Sequence, residues 1–137
     1  MSKKRVSILL IASIFALLIT GPFFQRVGAS TQGGEFCREE TAWAYGNTTF
    51  IQLGISNNWG WVFDYTVGSG PFVTDLWAGA GQNNVNNGTL VGNVTVTDDG
   101  TNLYVTFNIT APGWTMGLAH LYVGTDNPTT ASPGQLG

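Results

Sequence analysis

Leu90-Val91-Gly92-Asn93-Val94-Thr95-Val96-Thr97-Asp98-Asp99-Gly100-Thr101-Asn102-Leu103-Tyr104-Val105-Thr106-Phe107-Asn108-Ile109 is the stretch on which the fold turns. Leu90, Gly92, Val94 and Val96 alternate with Val91, Asn93, Thr95 and Thr97. After the Asp-Gly step, Leu103, Val105, Phe107 and Ile109 alternate with Tyr104, Thr106, Asn108 and Thr110. A period of two on both sides of Asp-Gly predicts an antiparallel hairpin over 90–109 that turns at Asp98–Asn102. One face is apolar and the other carries Thr, Asn and Tyr, as in a half-buried sheet. Leu103, Val105, Phe107 and Ile109 are therefore expected to be buried.

The same reading extends outward. Thr49–Ile55, Trp59–Thr66, Pro71–Ala78 and Thr115–Val123 read as further strands. Gly68-Ser69-Gly70-Pro71, Gly79-Ala80-Gly81-Gln82-Asn83-Asn84 and Ala111-Pro112-Gly113 separate them and are turn chemistry. No segment sustains a period of 3.6. The expected fold is all-β, a single antiparallel β-sandwich over 40–124, with a small β-barrel as the alternative. Residues 125–137 hold Pro128, Pro133 and Gly134 and no apolar run, so they read as a tail. Gly79-Ala80-Gly81-Gln82 lacks the Lys of a phosphate cradle and reads as a tight loop.

The N-terminus has a different composition. Ser2-Lys3-Lys4-Arg5 is basic, Val6 to Ile19 is almost unbroken apolar, and Val27-Gly28-Ala29 is small. Basic, apolar, small is the layout of a secretory signal peptide over residues 1–29, cleaved near Ala29. The apolar run falls short of the ~20 residues needed to span a bilayer, so no membrane insertion is expected after cleavage. Residues 30–39 then form a flexible leader.

Removing residues 1–29 takes Lys3, Lys4, Arg5 and Arg26 and leaves Arg38 against eight acids, a net charge of −7. A domain with one Arg and no Lys cannot neutralise a run of phosphates, which excludes nucleic-acid binding. Schiff-base and Walker-type chemistry need Lys and are excluded too. Cys37 and His120 are the only residues of their types, so Cys clusters and multi-His zinc sites are excluded within one chain.

Several motifs carry a resemblance. They are Glu40-Thr41-Ala42-Trp43-Ala44-Tyr45-Gly46, Leu76-Trp77-Ala78-Gly79-Ala80-Gly81-Gln82 and Gly88-Thr89-Leu90-Val91-Gly92-Asn93-Val94-Thr95-Val96. His120-Leu121-Tyr122-Val123-Gly124 and Pro133-Gly134-Gln135 follow them. In this order, over residues 40–135, they resemble a β-domain of secreted and surface-attached bacterial and archaeal proteins with no established activity. The resemblance implies an extracellular β-fold. Such domains often place a Cys after the first motif and another in the AGAGQ loop, where this chain has none. They also tend to continue past PGQ into one more strand. That implies a sheet edge covered by another segment, either the leader or a strand added from a neighbour.

The candidate ligand-binding residues are Trp59 and Trp61, which flank Gly60 in a polar context; flat rings on a β-surface stack on sugars. The competing role for these Trp, and for Trp43, Trp77 and Trp114, is core packing. Asp98 and Asp99 offer hard oxygens to Ca²⁺, with ordinary turn formation as the competing role; no other cofactor is implied. Asn47, Asn87, Asn93 and Asn108 begin N-x-[ST] sequons and are glycosylation candidates. His120 has no nucleophile context around it, and no G-x-S-x-G elbow exists. The expected function is a secreted, non-enzymatic structural or adhesive component of the cell surface or matrix, self-assembling by strand addition or binding surface glycans. The alternative is a carbohydrate-binding module.

Overall fold

The computed structural model describes residues 5–17, 37–132 and 135. Its strands are β1 (Arg5–Leu17), β2 (Cys37–Ala44), β3 (Thr48–Thr49), β4 (Trp61–Thr66), β5 (Phe72–Ala78), β6 (Thr89–Asp98), β7 (Leu103–Ile109) and β8 (Trp114–Gly124). One short helix, α1 (Phe50–Leu53), follows β3. The fold is all-β, as expected, and takes the form of one antiparallel curled sheet, a half-barrel.

The sheet runs β3-β4-β1-β2-β5-β6-β7, with β8 also on β1. Within β1, Arg5–Ile8 pairs with β4, Ile11–Leu17 with β2, and Ser7–Ala16 with β8. A strand has two edges, so β4 and β2 share one and β8 takes the other. The apolar run read as an export signal thus forms the middle strand. A strand covered on both faces has the same unbroken apolar composition. The cleavage position near Ala29 and leader residues 30–36 lie outside the described residues. Residues 37–39, read as part of the leader, belong to β2.

Alternation sorts the side chains onto two faces. Ile8, Ala42, Ala44, Phe63, Tyr65, Leu76, Val91, Val94 and Val96 form the inner core. Trp43, Phe50, Trp61, Val62 and Ala80 form a second cluster on the outer face, with Trp59, Trp77 and Tyr122 packed against it. The tail contributes Ala131 to that outer cluster.

The 90–109 hairpin is present, with two differences. The register steps from Leu76–Gly92 to Trp77–Leu90, leaving Val91 as a bulge. The bulge turns Val91 fully into the core and leaves Leu90 46% exposed, the reverse of the strict alternation. Leu103, Val105, Phe107 and Ile109 are half-buried against the core, because β7 is an edge strand that pairs only with β6 among the described strands.

The expected strand over 49–55 is a helical turn. Thr49 Oγ1 accepts the Gln52 N–H at 3.2 Å, and Gln52 Oε1 accepts the Thr49 N–H at 2.8 Å. This reciprocal cap satisfies two donors that a helix start leaves open. Gly54, at φ 68°, ends the turn.

Candidate functional site

The outer face carries the aromatic residues. Thr49 and Gly60 fix Phe50, which meets Trp43 edge-on at 4.7 Å between ring centres. Gly60 sits directly on the Phe50 ring at φ 148°, donates its N–H to Asn83 Oδ1 at 2.8 Å, and accepts the Phe50 N–H at 3.1 Å. Asn83 itself has φ 56°, a conformation that Asn tolerates better than most residues. The Gly-rich loop is therefore tethered to Gly60 through Asn83. Beside this cluster opens a cleft of about 320 Å³ lined by Thr41, Trp43, Phe50, Asn58, Trp59, Ala131 and Ser132.

Of the two Trp residues read as a stacking pair, Trp59 is half-buried and lines the cleft. Trp61 is 3% exposed and meets Trp59 edge-on at 5.7 Å. A buried indole has no face for a ligand, so Trp61 is a core residue and the Trp59–Trp61 pair is not a binding platform. In its place the fold brings Asn58, Thr41 and Ser132 to the same cleft. None of the three stood out in the sequence, because only the docking of the tail and α1 gathers them.

Asp98 and Asp99 clamp two turns. Asp98 Oδ2 accepts the Tyr65 hydroxyl at 2.6 Å and the Gly68 N–H at 2.9 Å, while its Oδ1 accepts the Gly100 N–H at 3.0 Å. Asp99 Oδ1 accepts the Thr101 and Asn102 N–H groups at 2.9 and 2.7 Å, and its Oδ2 accepts the Tyr104 hydroxyl at 2.6 Å. Each of these carboxylate oxygens accepts at least one hydrogen bond, the arrangement of a turn former. Among the described residues no group of three or more His, Cys, Asp or Glu is placed to hold a metal.

The Tyr65 hydroxyl and then the Gly68 amide hold the Asp98 carboxyl below the usual carboxylate range. The Tyr104 hydroxyl, then the Asn102 and Thr101 amides, do the same for Asp99. A carboxylate depressed in the folded state adds stability that is present above its unfolded pKa of about 3.9 and is lost as pH falls toward the folded value. Chemical denaturation should accordingly show a steepening loss of stability below about pH 4. The loss should be shallower in Asp98→Asn and Asp99→Asn, and an unchanged acid limb in both variants would refute the clamp.

The sequon asparagines are spread over the surface. Asn47, Asn87 and Asn108 are exposed, and Asn93 is half-buried opposite Asn108. β8 is exposed along most of its length: Met116, Leu118, Leu121 and Val123 are 41–57% exposed, and among the described strands only β1 pairs with it. Among the described residues no helix is long and apolar enough to cross a membrane. No protein-family model, no curated protein and no solved structure matches the chain.

Proposed function

We propose that this chain is an exported, non-enzymatic β-domain that serves as a structural or adhesive component of the cell surface or extracellular matrix, and that copies associate through β8. The observation that carries this reading is β8, which pairs only with β1 among the described strands and exposes Met116, Leu118, Leu121 and Val123 on its two faces. Unpaired strand edges with apolar side chains are what soluble monomers avoid and what assemblies use. The signal-like N-terminus and the nearly base-free surface support an extracellular setting.

The test compares the full chain with a Leu118→Lys, Leu121→Lys double variant by sedimentation and negative-stain microscopy. Wild type should form regular assemblies. The variant should stay monomeric with a melting temperature within a few degrees of wild type, because both side chains are exposed. A wild-type chain that remains monomeric at high concentration would sink this reading.

The cleft beside Trp59 favours a second reading, carbohydrate binding, with Asn58 and Ser132 bonding hydroxyls around the half-buried indole. Glycan-array binding that disappears in Trp59→Ala while the fold survives would select it. An array without signal would remove it.

A further inference from the structure

We propose that β1 occupies a slot in the sheet which, once export removes residues 1–29, receives an extended apolar strand donated by another polypeptide chain. This rests on the export reading above and adds the mode of partnership.

The topology carries the proposal. β8 has no ladder partner among the described strands except β1. Among the described strands β4 pairs only with β3 and β1, and β2 only with β1 and β5. Taking β1 away therefore divides one sheet into three pieces: β3-β4, β2-β5-β6-β7, and β8. It exposes backbone donors and acceptors along all three. It also empties the place of Ile8, which is 0% exposed between Phe63 and Val123 in register. Cleavage of the signal-like segment would remove this strand and no other.

The seated segment shows what a replacement must be. It must run antiparallel to β8 across ten paired positions and antiparallel to β4 and β2 on its other edge. A branched aliphatic belongs at the Ile8 position. Ser30–Phe36, which reads Ser-Thr-Gln-Gly-Gly-Glu-Phe, does not meet these terms. Seven residues span at most about 24 Å, and folding back along β2 would cost at least two of them as a turn. Residues 125–132 are polar and contain Pro128. Neither of these segments fits the slot, and the occupant assigned to it is a strand added by another chain, as in other β-augmented complexes.

The test uses the full chain with a protease site placed within residues 20–29 and nicked after folding. A fluorescent peptide of residues 5–17 is added in excess. The expected result is uptake of one peptide per chain, with at least tenfold weaker uptake of the same peptide carrying Ile8→Asp. Chains washed free of β1 should lose their cooperative melting transition, and added 5–17 peptide should restore it. Equal uptake of both peptides, or no uptake, overturns the slot. So do β1-free chains with an unchanged melting temperature. Intact mass of protein from the native host separates the two readings. A chain beginning near Ser30 supports strand donation in the cell. A secreted chain still carrying Lys3 and Lys4 overturns cleavage and in-cell donation, while the peptide exchange still reports on the slot itself.

Discussion

Replacing Phe50 with alanine should lower the unfolding free energy by about 3–5 kcal/mol, the cost of emptying a large aromatic site in a core. Phe50 is fully buried, stands edge-on to Trp43, and rests on Gly60. Little can collapse into the space it leaves, because Thr49, Gly60 and Asn83 hold the surrounding backbone by hydrogen bonds. Ile51→Ala is the control. Ile51 is 55% exposed, and its truncation should stay within about 0.5 kcal/mol. A strand over 49–55 would put Ile51, Leu53 and Ile55 together on the face opposite Phe50, and Ile51 would then be the costly position. Urea denaturation of the two variants separates these geometries.

That helical turn was legible in principle. Thr49-Phe50-Ile51-Gln52 has the spacing of a capping box, and Gly54 follows as a left-handed stop. A run of β-favouring residues around it outweighs a signal only four residues long. The 90–109 hairpin was legible because its period of two persists through both arms. Its bulge was not, because a bulge depends on how β5 and β7 meet β6: Thr110 and Ala111 both donate their N–H groups to the Val91 carbonyl, at 3.0 and 3.2 Å. The choice between stacking and core packing for Trp61 was open for a related reason. Trp61, Val62 and Phe63 are all buried, since both faces of β4 are covered there, and alternation then says nothing about exposure. Asp98 and Asp99 look alike to a cation and to a turn; only their donors decide between the two. The N-terminal apolar run is the deepest ambiguity, because the core of an export signal and a strand buried on both faces share one composition.

Ile8 turns that ambiguity into a measurement. In the full chain Ile8→Asp should cost more than about 4 kcal/mol, enough to unfold many single domains. Ile8 is 0% exposed, in register with Phe63 on β4 and Val123 on β8, within a cluster of aliphatic and aromatic side chains. A carboxylate there loses its hydration inside a cluster of apolar side chains. The conservative Ile8→Val should cost about 0.5–1.5 kcal/mol and keep the fold. Both values follow only if residues 5–17 sit inside the sheet. A run of residues lying free as an uncleaved signal would tolerate aspartate with an unchanged melting temperature. The graded pair of variants therefore distinguishes a strand that completes the domain from a segment that merely precedes it. The size of the aspartate penalty measures how strongly the sheet depends on whatever strand occupies that position.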